Sequence, residues 1–218
     1  MPVPDFKTYC AILNRARGGR FALPAVNVTS LTTANAVLRG LAESKADGII
    51  QVSTGGGAFA SGTKIKDSAL GAISIAEHVH RAAERYPIYV ALHTDHCLKD
   101  KLDKFVLPLV EETEKRRAAG RPNLFGSHMF DGSNLSLHEN LDISAKLLER
   151  FAKNDLVLEI ETGAVGGEEM TLSATTRRNS IQLPRTHWKS RVALIQSAAA
   201  TCSQRHLETC TAFTNPVT

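Results

Sequence analysis

No run of apolar residues in this chain approaches the ~20 that a membrane-spanning helix needs, so a helical membrane protein is not expected. The first residues, Met-Pro-Val-Pro-Asp-Phe-Lys, lack a basic stretch followed by an apolar one, and no secretory leader is expected either. Cysteine is scarce. Cys10, Cys97, Cys202 and Cys210 lie far apart with no CxxC pair, which leaves reduced thiols in a cytoplasmic protein as the expectation. The most informative absence is local: residues 170–218 contain no glycine, no aspartate and one acid, Glu208, beside 6 lysines and arginines. Residues 1–169 hold all 15 glycines, with 20 basic and 21 acidic residues. The net charge of +4 therefore arises in the tail, and it does not mark a nucleic-acid-binding surface.

Within residues 1–169 two periodicities alternate. Short β-branched runs recur at 21–28, 48–54, 87–93, 123–129 and 155–161. Between them lie helical stripes: Ala34, Val37, Leu38 and Leu41; then Leu70, Ile73, Ala76, Val79 and Ala83; then Leu137, Leu141, Leu147, Leu148 and Phe151, preceded by Ser136 and Glu139 at capping-box spacing. A leading helix over 4–19 would end at the Gly18–Gly19 pair. Strands alternating with helices predict an α/β fold with a parallel sheet. Periodicity does not separate an open doubly wound sheet from a (β/α)8 barrel. As a barrel it would be incomplete, because about five βα units are visible and a whole barrel takes about 250 residues.

Three segments could carry chemistry. Leu92-His93-Thr94-Asp95-His96-Cys97 ends the third strand, and imidazole beside carboxylate there suits a zinc ligand with an acid/base partner, or merely a polar strand end. In Gly126-Ser127-His128-Met129-Phe130-Asp131, His128 and Asp131 could be ligands, helix caps or hydrogen bonders at a barrel mouth. In 158–169, Glu159 and Glu161 share one strand face, which is costly unless they meet a metal or a cation, and a glycine-rich stretch carrying Glu168 and Glu169 follows. Weaker signals are Ser53-Thr54-Gly55-Gly56-Gly57, a phosphate cradle or a flexible turn, and His78 and His80, read as surface residues. Lys115, Arg116, Arg117 and Arg121 read as a solvated helix end.

In this order the segments ALPAVNV (22–28), GGGAFASG (55–62), LHTDHC (92–97), GSHMFD (126–131), ENLDISAKLLERFAK (139–153) and LEIETGAVGGEE (158–169) resemble class II (zinc-dependent) fructose-bisphosphate aldolases. The resemblance covers residues 1–169 almost continuously. It implies a (β/α)8 TIM barrel and a cytoplasmic lyase of glycolysis and gluconeogenesis, acting on a sugar phosphate and forming a homodimer, with no nucleic-acid or membrane partner. It further implies His96 as a ligand of the catalytic Zn2+ and Asp95 as the acid that protonates the aldehyde oxygen. Asp131 and Glu161 would hold a second divalent metal, Glu169 would be the base, and Asn27 and Ser53 would contact substrate. On this scheme zinc acts as a Lewis acid on the ketone, Glu169 removes the proton α to it, and Asp95 protonates the new alkoxide, with no Schiff-base lysine.

The resemblance stops at Glu169. The family's other zinc histidines belong to NVHG and HGGSG segments, neither of which is read in residues 170–218. A frameshift accounts for this. With one base lost near Glu169, residues 170–189 back-translate in the neighbouring frame to DDLVGHDETKLYTTPEDTLE, and 201–218 to LLAATFGNVHGVYKPGN, both aldolase-like. The expected organisation is therefore 1–169 as the N-terminal part of the barrel and 170–218 as an irregular out-of-frame tail, with the 218 residues by themselves inactive. Two other readings remain: an inactive fragment pairing with an intact aldolase subunit, and an aldolase for a related ketose bisphosphate.

Overall fold

The computed structural model describes residues 2–162; the expectations for Glu169 and for the tail, 170–218, lie outside the described residues. The elements run α1 (Phe6–Gly19), β1 (Ala25–Asn27), α2 (Leu31–Glu43), β2 (Gly48–Ser53), α3 (Thr54–Ala60), α4 (Ser68–Ala83), β3 (Val90–Leu98), a 3₁₀ segment (Lys99–Lys104), α5 (Val106–Ala118), β4 (Ser127–Asp131), α6 (Leu137–Lys153) and β5 (Val157–Glu161). All five expected strands are present, although β1 is reduced to three residues and β3 extends to Leu98.

The strands form one parallel sheet in the order β1-β2-β3-β4-β5. Each strand lies beside its sequence predecessor, so the order never reverses, as it must in a doubly wound sheet. Right-handed crossovers that always advance in one direction place their helices on one face. This is the winding of a (β/α)8 barrel, and five of its units are described.

The two sheet faces follow from the alternation of side chains along each strand. Ile50, Val52, Val90, Leu92 and Phe130 point outward and pack with Leu38, Leu41, Ile75, Val79, Leu109 and Phe151 from the helix layer. Phe105, Phe125, Phe130 and Phe151 are fully buried, each worth roughly 1.5–3 kcal/mol of transfer free energy. On the other face, at the start of the strands, Ala91 and Val157 pack against Tyr9 and Cys10 of α1, with Phe6, Leu13 and Ile49 around them. Helix α1 thus seals the N-terminal end of the inner face and leaves the C-terminal end for chemistry.

Local side-chain caps set several of the helix ends. Helix α1 starts at Asp5, whose carboxylate accepts from the Thr8 N–H, and stops at Gly19; the left-handed cap, at φ 55°, is Arg20 rather than a glycine. Helix α2 is capped by Ser30 and Thr33. Ser136 caps α6 as expected, but the Glu139 carboxylate pairs with Lys99 at 2.5 Å, so the capping box is half realised.

The Gly55–Gly57 run is helix rather than turn. Ser53 Oγ accepts from the Gly56 N–H to start α3. A methyl group at Gly71 would lie 1.9 Å from the Gly57 carbonyl oxygen, so these glycines permit the close α3–α4 crossing. In α4, Leu70 is 44% exposed, and Ala69, Ala72 and Ile75 make the buried stripe with Ala76, Val79 and Ala83. His78 and His80 are not simply surface residues: His78 bonds Asn35 at 2.7 Å and His80 bonds the Leu124 carbonyl at 2.9 Å. Nor is Arg116 solvated; it is buried and paired with Glu77 and Glu112.

Candidate metal centre at the strand ends

The pairing of β3 with β4 runs His93↔Ser127 and Thr94↔His128, then resumes at Cys97↔Phe130. One extra residue is inserted on β3, and Asp95 and His96 together face Met129. Such a bulge re-aims side chains. His96 takes φ 29°, a left-handed conformation that costs a β-carbon-bearing residue free energy and clusters at functional sites. As a result both Asp95 and His96 reach the open end of the inner face, which strict alternation would forbid.

There His96 meets the ends of β4 and β5. Its Nδ1 is 3.0 Å from Asp131 Oδ2 and 3.2 Å from Glu161 Oε2. One donor atom each from His96, Asp131 and Glu161 lie within 4.8 Å of one another. Asp131 Oδ1 accepts from the Ser133 N–H, so this residue is both a cap of the following turn and a member of the cluster. Asp95 stands beside them, with Oδ1 at 3.9 Å from His96 Nε2, and its Oδ2 accepts from the Asn27 amide at 2.7 Å. Ser53 is the register partner of Asp95 on β2, though its hydroxyl is engaged in capping α3.

The electrostatics are those of an anionic cluster around one imidazole. Burial pulls the His96 pKa down, but the Asp131 hydrogen bond and the charges of Asp95, Glu161 and Asp131 raise it overall. Burial, then the Asp131 charge, pushes Glu161 up. Asp131 is lowered overall, because the Ser133 and His96 bonds outweigh its burial. Glu161 Oε2 is buried and accepts no hydrogen bond, its neighbour Nδ1 being directed to Asp131. A buried carboxylate oxygen without a donor, packed against a second carboxylate, is satisfied by a cation. Imidazole and carboxylate donors suit zinc and similar divalent ions, so the residues present fit a metal.

The His128 ring turns away from this mouth. It is fully buried in the outer core against Phe125 and Phe151, with Nδ1 bonded to Thr94 Oγ1 at 3.0 Å and Nε2 unpartnered. It is neither ligand nor cap. Glu159, on the face of Glu161 but deeper, faces His93 Nε2 at 3.3 Å. His93 Nδ1 bonds Ser127 Oγ at 2.7 Å, and Ser127 bonds the Tyr9 hydroxyl at 3.2 Å. His93, Ser127 and Glu159 lie in the segments singled out in the sequence, but the link down to α1 carries no sequence signal, because Tyr9 reads as an ordinary helix residue.

The sequence pattern described as fructose-bisphosphate aldolase, class-II, matches residues 7–202. The chain belongs to the class II fructose-bisphosphate aldolase family. The matched span continues past Met170, where no family motif was read. The fructose-bisphosphate aldolase of Mycobacterium leprae is 50% identical over 169 residues, covering 78% of this chain and 49% of its own length. That of Corynebacterium glutamicum is 46% identical over 184 residues, 84% of this chain and 54% of its own. The chain therefore spans about half the length of the curated relatives it matches. The crystal structure of fructose-bisphosphate aldolase from Campylobacter jejuni superposes with a TM-score of 0.75 at 34% identity, over 92% of this chain and 55% of that one.

Proposed function

We propose that the chain is built for zinc-dependent aldol cleavage and condensation of fructose 1,6-bisphosphate, to and from dihydroxyacetone phosphate and glyceraldehyde 3-phosphate, in glycolysis and gluconeogenesis. The observation that carries this reading is the convergence of Asp95 and His96, on one bulge, with Asp131 and Glu161. His96 would be a ligand of the catalytic zinc, and Asp131 and Glu161 would hold a second divalent metal, all three close enough to share one ion. When bound, the metal supplies a Lewis acid that offsets negative charge developing on the substrate's carbonyl oxygen. Asp95 donates the proton to the nascent alkoxide, and Asn27 fixes its carboxyl orientation. Ser53, beside Asp95 on β2, and Asn27 would contact the sugar phosphate. Glu169, outside the described residues, would be the base.

The 218 residues by themselves are expected to hold zinc weakly and to be inactive, because the family's other zinc histidines are not read in the sequence and, among the described residues, His96 is the one histidine of the cluster. Residues 1–169 would form the barrel's N-terminal part and 170–218 an out-of-frame tail. The expected setting is cytoplasmic and homodimeric, without nucleic-acid or membrane partners; among the described residues no helix is long and apolar enough to cross a membrane. Sequencing the locus through the codons for Glu169 and Met170 tests the frameshift directly. Substrate profiling of the frame-corrected protein then tests the reaction: preference for fructose 1,6-bisphosphate supports it, and preference for a related ketose bisphosphate overturns the substrate assignment. Chelator-sensitive cleavage by the purified 218-residue chain would contradict its inactivity.

A further inference from the structure

The three strand ends that carry His96, Asp131 and Glu161 are all touched by the first turns of α6. Glu139 pairs with Lys99, in the segment that follows β3. Asn140 Nδ2 donates to the Glu161 carbonyl at 2.8 Å, at the end of β5. The face of the same amide lies against the turn after Asp131: a methyl group at Gly132 would stand 2.1 Å from Asn140 Nδ2 and 2.3 Å from its Cγ. The Lys99–Glu139 pair is about half exposed and therefore contributes little. Asn140 is different, because it is 1% exposed and its Oδ1 is fixed by the Ser144 hydroxyl at 3.1 Å.

We propose that Asn140 is a positioning residue for the metal group, its amide wedged between the turn after Asp131 and the backbone of Glu161 so that it sets the separation of the two carboxylates. This rests on the metal reading above. Among the described residues the sheet ladder between the two strands ends at Asp131↔Glu161, and beyond it Asn140 bonds the Glu161 carbonyl and packs against Gly132. Past that point carboxylate spacing depends on the directions of two terminal residues. A buried amide, held in one orientation by Ser144 and matched by a glycine with no β-carbon, fixes those directions. Residues that orient metal ligands without touching the ion change affinity by roughly 10- to 100-fold when replaced.

The test uses the whole chain, stripped of metal, and cobalt(II) as the probe, whose visible absorption reports ligand geometry. Wild type is expected to show saturable uptake with a ligand-field band. Asn140→Asp keeps the shape and the acceptor for Ser144 but loses the N–H donated to Glu161. It is expected to fold with wild-type circular dichroism, to bind cobalt roughly 10-fold or more weakly, and to shift the band. Gly71→Ala, which crowds the α3–α4 contact and touches no residue of the cluster, should lower thermal stability and leave affinity and band unchanged, which separates positioning from mere stabilisation. A folded Asn140→Asp variant with wild-type affinity and spectrum overturns the proposal. Should that variant not fold, Ser144→Ala decides: a few-fold loss of affinity supports the role and an unchanged value overturns it. Absence of cobalt uptake by wild type overturns the metal reading, and this inference with it.

Discussion

The side-chain amide of Asn27 donates to Asp95 Oδ2 at 2.7 Å, joining the end of β1 to the bulge of β3 across the intervening β2. That bond leaves Oδ1 directed toward His96 and gives the Asp95 carboxyl one orientation. In a frame-corrected protein, Asp95→Ala is expected to lower kcat by roughly 100-fold or more, as loss of a general acid does. Asn27→Ala should cost on the order of 10-fold, the worth of a hydrogen bond to a charged group. Steady-state kinetics of the two variants check the order. A larger loss for Asn27→Ala would contradict the positioning role.

The close contact of α3 with α4 gives a prediction about stability alone. Gly71→Ala would place a methyl group 1.9 Å from the Gly57 carbonyl oxygen, a backbone atom that cannot swing aside. The expected loss is about 3 kcal/mol, the upper part of the range for overpacking. Chemical denaturation measures it. A change below about 1 kcal/mol would show that the two helices part easily.

Acid sensitivity should come from two buried imidazoles, His128 in the outer core and His93 in the inner network. Burial lowers the pKa of His128 to about 3 and that of His93 to about 4, against 6.5 in the unfolded chain. Below pH 6.5 the unfolded chain therefore binds protons that the folded one refuses, and stability falls as pH drops from 6.5 toward 4. Each such proton contributes about 1.4 kcal/mol per pH unit. His96 works in the opposite sense: its raised pKa adds stability below its folded value, and that stability is lost as pH rises through it. His128→Gln removes one titrating ring and keeps a polar end for Thr94 Oγ1. Denaturation curves between pH 6 and 4 should then be shallower in pH by about one proton. An identical slope would mean that His128 titrates normally in the folded chain.

The alternation of elements was legible because five β-branched runs and three apolar stripes have periods that no loop sustains. The sequential strand order was not, since periodicity describes elements and not their neighbours. Of helix α5 only the end was legible, at Lys115, Arg116 and Arg117, because its sequence, rich in Glu, Lys and Arg, hides a stripe of Val106, Leu109, Val110 and Thr113. Helix α3 was missed because three glycines have low helix propensity, and the reason for Gly57, its close approach to Ser68 and Gly71 of α4, is tertiary. Resemblance singled out Asp95, His96, Asp131 and Glu161, which the fold brings together, whereas the means of their convergence were not legible. The bulge at Asp95–His96 inserts one residue into the ladder without any marker such as glycine, and Asn140 looks like a solvated helix residue until Gly132 is placed against it. The place of His128, left open between ligand, cap and hydrogen bonder, was not legible because it adjoins site residues in sequence but sits on the outward parity of β4.

The account stands on His96, Asp131 and Glu161 holding a divalent cation. Calorimetric titration of the metal-stripped chain with zinc tests this most directly, with Asp131→Asn plus Glu161→Gln as the comparison. Saturable binding by wild type that disappears in the double variant, while the variant without metal is at least as stable because the facing carboxylates are gone, is the predicted result. Equal zinc binding by both proteins, or none by wild type, would contradict it.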